Sequence, residues 1–183
     1  MVNEQMAQTA EFKKKKGAGS FPILELEDGT LLRESNAIAA YIARRSGQHA
    51  FLGSNRFEEA LIEQWLAFTT STLGRHMKRS TVHVWGWKED PEGAAESENA
   101  LKAGAKVLNQ HLGNKTWLVG ERMTLADIVV FNSLLSPFTF TFDAGFCNAM
   151  PNLCAWFDKM SKLPFVQRTA GSIKMKNTMK GSA

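Results

Sequence analysis

The stretch SFPILELEDGTLLRESNAIAAYIA, residues 20–43, changes its periodicity midway, and that change sets the fold. In FPILELE, Leu24 and Leu26 fall on one face, with Ile23, Glu25 and Glu27 on the other. A period of two marks a half-buried strand, and the carboxylates assign the leucine face to the interior. Asp28-Gly29 predicts a tight hairpin turn, after which LLRE returns as the second strand. Pro22 stands at the first position of the leading strand, where its missing N–H matters least. From Ser35 the spacing turns helical, and Ala37, Ile38, Tyr41 and Ile42 form the expected buried stripe. Arg44 and Arg45 suit the negative end of that helix, and Gly47 stops it.

On the N-terminal side, a polar segment from Glu4 through Lys13–Lys16 reads as a short helix ended by Gly17 and Gly19. The four lysines are a solvated helix end in one reading and a phosphate contact in the other.

On the C-terminal side the pattern is helical throughout. FLGSNRFEEALIEQWLAF lines up Phe57, Leu61, Trp65 and Phe68, with Ser54 as the expected cap. HVWGWKEDPEGAA interrupts with Gly86, Pro91 and Gly93; Trp85 and Trp87 read as core packing or a partner-binding patch. Leu101, Ala105, Leu108 and Leu112 define a further amphipathic helix ended by Gly113. PNLCAWFDKMSKLP is bracketed by Pro151 and Pro164. The resulting fold class is α+β and mostly helical: a β-hairpin with helices over residues 1–47, an all-α domain over 48–173 and a basic tail over 174–183.

Composition agrees with a folded globular chain: 183 residues, 44% hydrophobic and 22% charged, with a net charge of +4. The mild positive balance permits contact with RNA or acidic partners without demanding it. MVNEQMAQTA has no apolar core of a secretory signal, and no run of apolar residues is long enough to cross a membrane. Cys147 and Cys154 stand two helical turns apart and read as reduced thiols in or beside one helix, consistent with a cytoplasmic protein. His49, His76, His83 and His111 are scattered, so no metal site is expected.

The second informative stretch is WLVGERMTLADIVVFNSLL. Thr124 and Asp127 have the spacing of a capping box, with Met123 and Ile128 as its hydrophobic staple. The helix from Leu125 to about Leu135 is apolar on nearly every side and is expected to run through the centre of the helical domain. Asp127 is therefore read as a structural cap, not a catalyst.

These two stretches, with FLGSNRFEEALIEQWLAF and MPNLCAWFDKMSKLPFVQ, resemble the glutathione S-transferase superfamily over residues 11–173. ESNAIAAYIAR, LVGERMTLADI and MPNLCAWFDKMSKLPFV are most similar to its translation-linked branch, the transferase-like domains of elongation factor 1 gamma and of aminoacyl-tRNA synthetase complexes. The resemblance implies a truncated thioredoxin-like N-terminal part packed on an all-helical C-terminal domain. It also implies a cytoplasmic scaffold whose partners are elongation factor 1 subunits or aminoacyl-tRNA synthetases. Apart from the resemblance, a two-strand hairpin leaves an edge that a homodimer could pair, and Lys13–Lys16 with Lys174, Lys176 and Lys180 offer a weaker RNA contact.

For glutathione, the resemblance implies a site at Phe21, Pro22, Glu34 and Ser35. A cis Phe21-Pro22 bond would present backbone to the cysteinyl part, while Glu34 and Ser35 would hold the γ-glutamyl end. Against this stands the simpler reading that Ser35 caps its helix and Glu34 complements the dipole. In the enzymes, the residue that activates the thiol belongs to a first strand and helix, and the residues ahead of Phe21 are too few for these. Ser20 also replaces the basic residue common before this pair, and Tyr41 is assigned to the buried stripe. No catalytic residue is therefore assigned and transferase activity is not expected; the alternative is a glutathione S-transferase.

Overall fold

The computed structural model describes residues 8–16, 21–77, 79 and 91–176. Glu4, Gly17, Gly19, Ser20, His83, Trp85, Gly86, Trp87 and Lys180 lie outside them. The chain divides into two compact units, Met1–Leu52 and Gly53–Ala183.

In the first unit, helix α1 (Ala10–Lys16) precedes strands β1 (Ile23–Glu25) and β2 (Leu31–Arg33) and helix α2 (Ser35–Arg45). The strands pair antiparallel, with Ile23 opposite Arg33, Leu24 opposite Leu32 and Glu25 opposite Leu31. Their connection is longer than a two-residue turn. Leu26 and Thr30 close it through a 2.9 Å N–H···O bond, and Asp28 Oδ1 accepts the Thr30 amide at 2.9 Å. Gly29 sits at φ 81°, where a β-carbon would be strained.

Helix α1 is tied to the hairpin by polar and aromatic contacts. Lys15 Nζ lies 2.8 Å from Glu25 and 3.0 Å from Glu11, and the Lys15 carbonyl accepts Arg33 Nη2 at 2.6 Å. The rings of Phe12 and Phe21 stack at 5.4 Å. Lys15 therefore helps tie α1 to the hairpin of this unit.

Helix α2 packs on both strands and on the 3-10 turn His49–Leu52. Its interior side differs from the expected stripe. Ile38 and Ala43 are buried, Tyr41 is half-buried, and Ala37 and Ile42 are exposed. Within this unit two short strands and one turn make a narrow platform, which covers less than a full apolar stripe.

Among its described residues the second unit contains helices α3 (Arg56–Phe68), α4 (Pro91–Leu112), α5 (Leu125–Phe140), α6 (Ala144–Ala149), α7 (Pro151–Ser161) and α8 (Pro164–Ala170), with a π-helical turn, Thr69–Gly74, continuing α3. The cap of α3 is Asn55, not Ser54. Asn55 Oδ1 accepts the amides of Phe57 and Glu58 at 3.0 Å each. Ser54 lies one residue further out and turns its own amide and hydroxyl to Glu58. Starting the helix there buries Ile62 and Trp65 and leaves Phe57 73% exposed, a rotation from the expected face. Where the helix widens into the π turn, the hydroxyls of Thr69, Thr70 and Ser71 bond to carbonyls four residues back. Such back-bonding competes with the regular ladder and accompanies helix distortion.

Helix α4 buries Leu101, Ala105, Leu108 and Leu112 and packs on α7. Helix α5 is buried on several sides and continues to Phe140, past the expected end, because its chain passes through Pro137 without breaking. Stacked rings extend the core beyond it: Phe138 on Phe157 and Phe142 on Phe146, each at 3.8 Å between centroids.

Cys147 and Cys154 do not share the single helix expected from their spacing. The chain leaves helical geometry at Met150, and Pro151 opens α7, so Cys147 and Cys154 belong to different helices. Seven residues along one helix rise about 10.5 Å. Across the corner their Cα atoms are 5.7 Å apart, and the two sulfurs form a disulfide. Pro164 likewise opens α8 as well as closing the segment before it. No helix among the described residues is long and apolar enough to cross a membrane.

Candidate functional site

In the first unit, the hairpin register brings the four candidate residues to one end. Ile23 pairs with Arg33, so Pro22 and Glu34 are the next positions outward on the two strands. Phe21 precedes Pro22, and Ser35 follows Glu34 as the first residue of α2. The Phe21-Pro22 peptide is cis. All four residues are exposed, with Phe21 at 54%.

Glu34 occupies φ 68°, ψ 115°, a conformation that residues bearing a β-carbon rarely adopt. It holds the N-cap position of α2 without a side-chain cap bond, and Ile38 N donates to its carbonyl at 2.9 Å. Ser35 is thus inside the helix rather than its cap. The positive dipole end of α2 opens toward the Phe21-Pro22 end of the hairpin, an arrangement suited to a carboxylate. Arg44 and Arg45 occupy the opposite end, where Arg45 bonds the Tyr41 hydroxyl at 3.3 Å and Glu27 at 3.1 Å.

In the second unit, Asp127 is fully buried and joins three segments. Its Oδ2 accepts the Thr124 amide at 2.8 Å and the Thr124 hydroxyl at 3.1 Å. Its Oδ1 accepts the Leu118 amide at 2.9 Å and the Trp156 indole N–H at 3.2 Å. Burial raises its carboxyl above the ordinary range, while the bonds from Leu118, Thr124 and Trp156 pull it back. With donors on both carboxylate oxygens and no exposed surface, the group orders the α4–α5 connection and α7 onto the start of α5.

The same connection is held from outside by Arg122, whose guanidinium lies 2.7 Å from Glu58 Oε2. Glu58 also accepts the amide and hydroxyl of Ser54, and these bonds with Arg122 lower its carboxyl to about 2. Sequence spacing misses both long-range links, because 64 residues separate Arg122 from Glu58 and 29 separate Trp156 from Asp127. Only the three-residue step between Thr124 and Asp127 is a local signal.

Other candidates carry less chemistry. An apolar recess among Phe131, Met160, Phe165 and Val166 is edged by Asn132 and Thr169, and the Thr169 hydroxyl already bonds the Phe165 carbonyl. His111 Nε2 contacts the Leu118 carbonyl at 2.7 Å and its ring packs on Trp65. Among the described residues, no three His, Cys, Asp or Glu side chains gather at metal-binding range.

Comparison with known proteins covers both units. The family model for the glutathione S-transferase N-terminal domain matches residues 1–45, and that for the C-terminal domain matches residues 68–164. A probable elongation factor 1-gamma 2 of Arabidopsis thaliana is 34% identical over 168 residues, covering 91% of this chain and 40% of its own length. The glutathione S-transferase-like protein LUC7 of a Fusarium species is 36% identical over 157 residues, covering 82% of this chain and 69% of that protein. The crystal structure of the transferase-like domain of elongation factor 1-gamma from Saccharomyces cerevisiae superposes with a TM-score of 0.78 at 19% identity, covering 94% of this chain and 83% of that one. The chain therefore spans about 40% of the length of the elongation factor relative.

Proposed function

The chain belongs to the glutathione S-transferase family, and on that premise we propose that it is an interaction domain of the elongation factor 1-gamma type within the translation machinery. The observation that carries this reading is 34% identity to a probable elongation factor 1-gamma across 91% of the chain, through both units. Its partners are the other subunits of elongation factor 1 or aminoacyl-tRNA synthetases, met in the cytoplasm.

The test is reconstitution. The purified chain is mixed with recombinant elongation factor 1 subunits and, separately, with synthetases, and each mixture is followed by size exclusion with light scattering. A stoichiometric complex is expected at physiological salt. Migration of every component at its own mass overturns the proposal. The chain run alone reports whether it dimerises.

One arrangement favours a second reading, a glutathione-binding site and with it a transferase. Phe21, Pro22, Glu34 and Ser35 meet at one end of the hairpin, beside the dipole-positive start of α2. Thermal shift with glutathione tests binding, and conjugation to a chromogenic electrophile tests turnover. Turnover above the uncatalysed rate replaces the scaffold reading with the enzymatic one.

A further inference from the structure

The disulfide stands where two helices meet. Cys147 is in the C-terminal half of α6, Cys154 is in the first turn of α7, and Met150 and Pro151 form the corner between them. Both cysteines are partly exposed, and Asn148 and Ala149 between them are exposed. Packing at the corner is carried by other side chains, since Phe146 and Leu153 are buried. The bond closes a short loop, with a sequence separation of 7, so it restrains the unfolded chain less than a long-range bridge would. Partial exposure together with a weaker restraint than a long-range bridge fits a labile disulfide better than a permanent staple.

We infer that Cys147–Cys154 is a thiol–disulfide exchange site for low-molecular-weight thiols of the glutathione class. This goes beyond the scaffold reading and does not depend on it. The two sulfurs are not equivalent. Cys154 lies in the first turn of an 11-residue helix, at the positive end of its dipole, where a thiolate is stabilised. Cys147 lies toward the carbonyl end of its own helix, where negative charge is disfavoured. Cys154 is therefore the better leaving group.

An incoming thiolate attacks Cys147 Sγ, the protein disulfide breaks, and its electron pair leaves on Cys154 Sγ. The new bond joins Cys147 to the small thiol. A second small thiolate attacks the small-thiol sulfur of that mixed disulfide, releasing the oxidised disulfide of the two small thiols. The Cys147 thiolate then takes a proton from water. Two small thiols are oxidised and one protein disulfide is reduced, and an oxidised small disulfide drives the reverse.

The experiment equilibrates the whole chain near neutral pH across a series of reduced-to-oxidised glutathione ratios. Samples are quenched in acid, alkylated and mapped by mass spectrometry. The pair is expected to pass from disulfide to dithiol within the series, with the transient glutathione adduct on Cys147. In the fully reduced chain, Cys154 is expected to alkylate about tenfold faster than Cys147. A pair that stays in one state across the whole series overturns the site. An adduct on Cys154, or faster alkylation of Cys147, overturns the assigned direction.

Discussion

Trp156 donates its indole N–H to Asp127 Oδ1 at 3.2 Å, joining α7 to the first turn of α5 across 29 residues of sequence. Because the same carboxylate also holds the Leu118 and Thr124 amides, its loss unties three segments at once. Asp127→Asn turns an amide donor toward donors already in place and is expected to cost about 2–3 kcal/mol. Trp156→Phe removes one of these bonds and is expected to cost about 1–2 kcal/mol, including the smaller ring. Chemical denaturation followed by circular dichroism reads both. Equal costs for the two variants would mean that the indole bond is the whole of the Asp127 contribution.

The ion pair of Glu58 and Arg122 gives a pH dependence with a defined sign. The folded carboxyl of Glu58 is lowered to about 2 by Ser54 and Arg122. A lowered acid contributes stability that is present above its unfolded value and is lost as pH falls through the folded one. Stability carried by this group should therefore decline between roughly pH 4.5 and pH 2. Glu58→Gln should flatten that limb by up to about one proton, measured as the slope of unfolding free energy against pH. An unchanged slope would place the acid sensitivity elsewhere.

Gly53 stands at φ 106°, and a β-carbon there would meet the backbone nitrogen of Glu59 at 2.8 Å. That obstacle is helix backbone at the start of α3, which cannot swing aside as a side-chain end could. Gly53→Ala is expected to destabilise by about 1–3 kcal/mol through backbone strain and displacement of the α3 start. The control is Gly47→Ala: Gly47 also has a positive φ, but no atom lies within 4 Å of its added carbon, so its cost should be smaller. Thermal melts of the two variants make the comparison.

The helical unit was the most legible part of the sequence because its signals are local. Leu101, Ala105, Leu108 and Leu112 repeat on one face, and α4 buries all four. Readings failed where geometry depends on a start point or a corner. Moving the cap of α3 from Ser54 to Asn55 accompanies a rotated buried face and an exposed Phe57. The spacing of Cys147 and Cys154 suggests two turns of one helix only if the chain does not bend between them, and Met150-Pro151 bends it. At the candidate site, adjacency of Pro22 and Glu34 follows from hairpin register and could be drawn from sequence. The positive φ of Glu34 could not, because no residue-type signal marks it when the residue is not glycine, asparagine or aspartate.

Glu34 supplies the last prediction, because it separates a strained backbone from a ligand contact. Among the described residues it is the one non-glycine position with positive φ. Holding such a conformation costs on the order of 1–3 kcal/mol, and glycine adopts it freely. Glu34→Gly is expected to raise the thermal midpoint of the chain, by an amount corresponding to about 1 kcal/mol. Glu34→Gln leaves the backbone demand in place and removes only the charge, so its midpoint should stay near that of the parent. If the side chain receives the ammonium of glutathione, both variants lose the glutathione-induced thermal shift, including Glu34→Gln with its unaltered stability. If the shift survives in Glu34→Gln, the carboxylate is not a ligand contact, and the conformation serves only to turn the chain from β2 into α2. A lower midpoint in Glu34→Gly would show that the side chain itself, and not relief of the backbone, governs this turn.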